Sequence, residues 1–255
     1  MLQPGIAMIG IGEIGGILAK GFLRSRHPVY PVTRGMDLGT ALESLPRVEG
    51  IVVAVGEKDL HEVLSQMPHS LHERLMLIQN ELLPRDWEAH GIQDPTIASI
   101  WFEKKPGKAE KVLVPTPVHG PRAGMLESAL SAVNIPARQV PDEEVMLQEL
   151  VIKNLYILTT NIAGLKVGGD VQTLWDKHRD LAEAVAREVI AIQEWLVGKT
   201  LDHDRLFEGM LAGFEGDPEH QCMGRSAPAR RARALALAEE AGIDTPTIRS
   251  IHPAA

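Results

Sequence analysis

Cysteine is nearly absent from this chain: Cys222 stands alone among 255 residues. One thiol can form neither an internal disulfide nor a paired-cysteine metal site, so no metal is expected and a reducing, cytoplasmic setting fits best. A positive surplus is missing too. The 26 basic and 34 acidic side chains leave a formal charge of −8, a surface that repels phosphate backbones and anionic membranes. Neither nucleic acid nor membrane is therefore expected as a partner. The one dense basic run, RSAPARRAR (225–233), lies in an Ala-rich helical pattern that turns acidic at Glu239 and Glu240, and reads as a solvated helix face. No apolar run reaches membrane-spanning length, because the longest candidate is broken by Lys153, Asn154, Thr159, Thr160 and Asn161. The opening MLQPGIAMIG lacks a basic segment followed by a long apolar one, so it does not read as a secretory signal.

What is present is 44% hydrophobic residues, enough for one large core or two modest ones. The first part alternates β-like runs with helical patterns. IAMIGIG (6–12), PVYPVTR (28–34), GIVVAVG (50–56) and RLMLIQN (74–80) read as strands, and EIGGILAKGFLRS as the helix after the first. That alternation predicts an α/β domain with a parallel sheet covered on both faces. WFEKKPGKAEKVLVP predicts a hairpin turning at Pro106 and Gly107. From about residue 121 apolar residues recur at helical spacing through 122–133, 142–165, 171–197 and 227–241, the last stopping at Gly242. PTPVHGPRAG (115–124) reads as the hinge. The expected layout is a Rossmann domain over 1–118 and an all-helical domain over 119–255.

GIGEIG places Gly10, Gly12 and Gly15 after the first strand and at the mouth of a helix. In that context the first glycine permits the tight turn and the second lets a pyrophosphate approach the backbone. The third lets helix and strand pack closely. At the end of the second strand an NAD site expects an acid, whereas this chain has Thr33 and Arg34, a cation suited to the 2′-phosphate of NADP(H). Asp37, three residues later, keeps NAD open as the alternative.

LVIKNLYILTTNIAGL (150–165) carries Lys153 inside an apolar run. On one helix, positions 153, 157, 160, 161 and 164 share a face that reads Lys, Ile, Thr, Asn, Gly. Lys153 with Asn161 and open space above Gly164 would make a small polar pocket, in which a lysine can protonate a carbonyl oxygen. Pattern alone leaves this reading level with a lysine snorkelling from the helix edge.

The chain resembles the ketopantoate reductase family, within the 6-phosphogluconate dehydrogenase-like group, over nearly its whole length. The resemblance rests on GIGEIG, the Arg34 ending strand two, LIQN (77–80), HGP (119–121), the lysine helix, REV (187–189) and AGIDTP (241–246). It implies a Rossmann domain facing a helical domain, with NADPH reducing a 2-keto acid substrate between them. Lys153 then matches the catalytic general acid, Asn161 a substrate-binding asparagine, and Asn80 an asparagine near both nicotinamide and substrate. Four positions depart from the pattern, one being Gly56, where the family often has a lysine after its VAV-like strand, with Lys58 nearby. Ile157 replaces a second asparagine, Glu81 replaces the glycine after Asn80, and the active-site glutamate has no counterpart, ungapped counting landing on Ser226.

His119 at the expected hinge could contact substrate or cofactor, or simply bond backbone. Ser226 is carried as a further substrate-binding candidate. His61, His69 and His72 read as surface, and His220 with Cys222 are too few to hold a metal. The sequence leaves the oligomeric state open, a homodimer being one option. It also leaves open a non-catalytic NADP(H)-binding sensor or partner protein.

Overall fold

A computed structural model describes residues 3–252. The chain divides into two compact units, 1–150 and 151–255. Strands of the first unit are β1 (Gly5–Ile9), β2 (Val29–Val32), β3 (Val48–Val53), β4 (Leu75–Leu77), β5 (Thr96–Ala98), β6 (Phe102–Glu103), β7 (Lys111–Val112), β8 (Thr116–His119) and β9 (Ala137–Gln139). Its helices are α1 (Glu13–Arg24), α2 (Leu38–Ser44), α3 (Leu60–Ser65), α4 (Pro84–Glu88) and α5 (Ala123–Ser131), and α6 (Glu143–Val167) begins in it. The second unit continues α6 and adds α7 (Val171–Lys177), α8 (Arg179–Val197), α9 (His203–Gly216), α10 (Ala227–Ala241) and α11 (Pro246–Ser250).

Seven strands form one sheet in the order β2-β1-β3-β4-β5-β8-β9. The first five run parallel, β8 runs antiparallel to β5, and β9 runs parallel to β8. All five residues of β1 and all three of β4 are buried. A parallel sheet is covered on both faces, so its inner strands are apolar throughout rather than alternating. Leu18 and Phe22 of α1 and Leu126 and Leu130 of α5 pack with Ile6, Met8, Val52 and Met76 of the sheet in one core.

The hairpin expected around Pro106 and Gly107 is the β6–β7 pair, with Gly107 at φ +74°. The expected hinge is corrected. Thr116–His119 is a strand paired on both sides, and the first unit runs past residue 118 to Leu150, taking in α5, β9 and the start of α6.

In the second unit the helical reading holds, with three changes, one of them the short α11 after Gly242. The stretch 171–197 is two helices, broken at His178 where φ is −135°. Helix α9, absent from the expected set, starts at Asp202, whose carboxylate accepts from the Arg205 amide, and buries Leu206, Met210 and Phe214. Glu188 of α8 accepts from the Thr247 and Ile248 amides at 2.7 and 2.8 Å. It satisfies orphan donors of the first turn of α11 that no local side chain caps. Among the described residues no helix is long and apolar enough to cross a membrane.

Candidate functional site

The site in the first unit grows from the topology. The chain leaves β1 for β2 on one side and returns to β3 on the other, so the C-terminal ends of β1 and β3 form a switch point, where open α/β sheets bind ligands. The glycine loop lies there, and its three glycines differ physically. Gly10 has φ +92°, and a Cβ on it would stand 2.7 Å from the Ala54 carbonyl oxygen at the end of β3. A Cβ on Gly15 would stand 2.3 Å from the Gly10 carbonyl oxygen. Both are fixed by the protein's own backbone. A Cβ on Gly12 would meet nothing within 4 Å.

Gly12 is the N-cap of α1 and has no side chain to satisfy the amides of the first turn. Those amides, the helix dipole and the open side at Gly12 make a cradle for a phosphate group. The residues present therefore fit the pyrophosphate of a dinucleotide.

Arg34, two residues beyond β2, has a side chain 94% exposed, and its guanidinium lies 3.8 Å from the Asp59 carboxylate. Such a pair holds the side chain weakly. Asp37 is committed elsewhere. It caps α2 by accepting from the Thr40 amide at 2.9 Å, and that hydrogen bond lowers its pKa.

Asn80 follows β4 and is half-buried. Its neighbour Gln79 ties two strand ends together, donating to the Val53 carbonyl at 2.6 Å and the Val55 carbonyl at 3.3 Å while accepting from the Ile78 amide at 3.1 Å. Glu81, which stands where the resemblance puts a glycine, has φ +61°. The backbone keeps a glycine-type conformation that costs a side-chain-bearing residue about 1 kcal/mol or more.

Lys153 lies on α6, half-buried, with its Nζ 5.5 Å from the centre of the Tyr156 ring. Ile157 is buried. Asn161 is held twice: its Nδ2 donates to the Ile157 carbonyl at 2.8 Å, and its Oδ1 accepts from Arg230 of α10 at 3.2 Å. The expected space above Gly164 does not exist. A Cβ there would lie 2.8 Å from the Cys222 backbone, so the glycine serves close packing of α6 on the 222 segment. Ser226 is exposed at the head of α10 and makes no capping bond.

Reading the basic run as a solvated face also needs correction. Arg231 donates to the Ile248 and Arg249 carbonyls at 3.1 and 3.0 Å, while Arg230 holds Asn161. Sequence reasoning missed Arg230 because its partner is 69 residues away. His119 lies four strands from β1, about 19 Å at the usual spacing, and bonds the Val140 carbonyl at 3.1 Å. Of the three histidines read as surface, His72 is buried, and His61 meets His90 at 3.0 Å and the Asp86 carboxylate at 3.5 Å.

Cys222 is fully buried, and desolvation pushes its thiol pKa up to about 12. A thiol that is both neutral and covered is inert. Iodoacetamide at pH 8 is expected to leave the folded protein unmodified and to label it once after denaturation, as read by intact mass.

A parallel, Rossmann-type sheet with a glycine loop at its switch point, followed by an all-helical unit, defines a two-part α/β-plus-helical architecture. More particularly, the fold is that of the ketopantoate reductases. The dimeric ketopantoate reductase of Staphylococcus aureus matches with a TM-score of 0.65 at 16% identity, over 97% of this chain and 96% of that one. The 2-dehydropantoate 2-reductase of Methylococcus capsulatus matches with a TM-score of 0.68 at 14% identity, over 97% and 94%. A ketopantoate reductase from Ralstonia eutropha matches with a TM-score of 0.64 at 13% identity, over 98% and 96%. No protein-family model matches the chain, and no curated protein matches its sequence.

Proposed function

We propose that this protein is an NADPH-dependent oxidoreductase that reduces a small 2-keto acid or related carbonyl. The observation that carries the reading is the open side at Gly12 between two glycines locked by their own backbone. When bound, the nicotinamide supplies a hydride to the carbonyl carbon. The first-turn amides of α1 hold the pyrophosphate, and Arg34 pairs with the 2′-phosphate in place of its loose contact with Asp59. Lys153 donates the proton that the carbonyl oxygen needs as it gains negative charge. Asn80, Asn161 and Ser226 are the candidate substrate contacts, and Asn80 also flanks the nicotinamide; His119, four strands from β1, leaves the set. The chain is read as cytoplasmic and as a homodimer, the second in line with the dimeric Staphylococcus aureus enzyme.

Cofactor choice is tested at Arg34. Arg34→Ala is expected to weaken NADPH binding about tenfold or more, the scale of one charge-assisted hydrogen bond, and to leave NADH binding unchanged. Fluorescence titration of both cofactors reads this directly. Equal loss for both would reject the 2′-phosphate role.

A second reading, a non-catalytic NADP(H) sensor, draws on Asn161, whose amide is bonded on both sides within its own unit. A panel of 2-keto acids with NADPH separates the two. Oxidation of NADPH with any member supports the reductase, and tight binding without turnover across the panel supports the sensor.

A further inference from the structure

The first unit contains a cavity of about 650 Å³ on the far side of the sheet order from the glycine loop, lined from α4, β5, β8, β9 and the start of α6. Its size lies within the range of small-molecule sites. Its apolar wall comes from Trp87, Ile92, Ile97, Met146 and Leu150, all buried. The cavity opens beside this packed wall rather than within it, leaving room for an apolar body against Trp87 and Ile97.

The polar lining has one sign. Glu88, Asp94 and Glu143 are its charged residues, all exposed at the rim, and no Lys or Arg lines it. His119 adds to this bias. A carbonyl can only accept, so the 3.1 Å contact with Val140 requires the proton on Nδ1. Nε2 of the neutral ring is then an acceptor. Of the two glutamines in the lining, Gln139 already donates its side-chain amide to Glu127 at 2.7 Å, and Gln93 is exposed at the rim. An anion would find no cation here and would meet three carboxylates at the rim, whereas a cation would be drawn to them.

We propose that this cavity binds a small molecule with an ammonium group on an apolar, ring-sized body. The body fills the space beside Trp87 and Ile97, and the ammonium faces the carboxylates and His119. Charge complementarity of this kind selects the ligand class more than it sets raw affinity. The indole of Trp87 is a further partner for a cation.

The test uses the full-length protein and three probes of one shape: phenethylammonium, 2-phenylethanol and 3-phenylpropionate. Calorimetric titration is expected to show phenethylammonium binding at least about tenfold more tightly than the alcohol, with the carboxylate weakest. The double variant Asp94→Asn, Glu143→Gln changes only exposed side chains and is expected to remove most of that preference while the alcohol binds as before. Shifts of the Trp87 indole and His119 ring resonances on titration place the ligand. Equal binding of all three probes, an unchanged preference in the double variant, shifts confined to residues 10–15, or no binding up to about 10 mM would each overturn the proposal.

Discussion

Replacing Lys153 with alanine is expected to lower kcat by about 10²- to 10⁴-fold, the usual contribution of a positioned general acid. That loss corresponds to about 3–5 kcal/mol of transition-state stabilisation. NADPH affinity should hardly change, because the proposed cofactor contacts, the glycine loop and Arg34, belong to the other unit. Lys153→Arg sharpens the test. It keeps the positive charge but holds its proton far more tightly, so a proton donor is lost while an electrostatic anchor survives. If Lys153 only polarises the carbonyl, the arginine variant retains much of the rate. If Lys153 donates the proton, both variants fall together. Full activity in Lys153→Ala would remove the residue from the chemistry and leave the snorkelling account.

The second large effect separates two glycines three residues apart. Gly12→Ala adds a methyl group into open space, so the fold should be kept, with alanine's poorer N-capping costing about 1 kcal/mol, a fall of about 2–4 °C in melting temperature. NADPH binding is nevertheless expected to weaken at least tenfold, roughly 1.4 kcal/mol, because the methyl group takes the place of the phosphate's approach. Gly15→Ala does the reverse. Its Cβ would stand 2.3 Å from the Gly10 carbonyl oxygen, a clash between two backbone segments that cannot rotate away. A cost of about 3 kcal/mol follows, a fall of roughly 5–10 °C in melting temperature for a chain of this size. Scanning calorimetry and cofactor titration on the two variants give opposite patterns. A Gly12→Ala protein that binds NADPH normally would reject the cradle.

These expectations could be written from the sequence because the signals behind them are local. GIGEIG carries its turn, its helix start and its close approach within six residues, and the buried strands β1 and β4 and the part of β3 after Glu49 announce themselves as unbroken apolar runs. Strands β8 and β9 do not. One reads Thr-Pro-Val-His and the other Ala-Arg-Gln, and each is a strand because of what it pairs with rather than what it contains. Helix α9 was obscured by its own packing: Gly209 and Gly213 lower helical propensity, and at Gly209 a Cβ would lie 2.6 Å from Ile152. The candidate site divides in the same way. Lys153 stands out by type and the loop glycines by spacing, whereas the closure at Gly164 by Cys222 and the bond from Arg230 to Asn161 join residues distant in sequence. Periodicity along one helix cannot report what another helix brings to it.

The placement of β8 and β9 at the end of the sheet also fixes when the first unit can be finished during synthesis. β5 has no neighbour on its outer side until Thr116–His119 has been made, and the core beneath β1 and β3 has no second helix until Ala123–Ser131 follows. At about 5–20 residues per second, the chain spends several seconds with an open sheet edge after the glycine loop has left the ribosome. The open edge of β5, buried in all three of its residues in the finished fold, is the segment most exposed to wrong pairing in that interval.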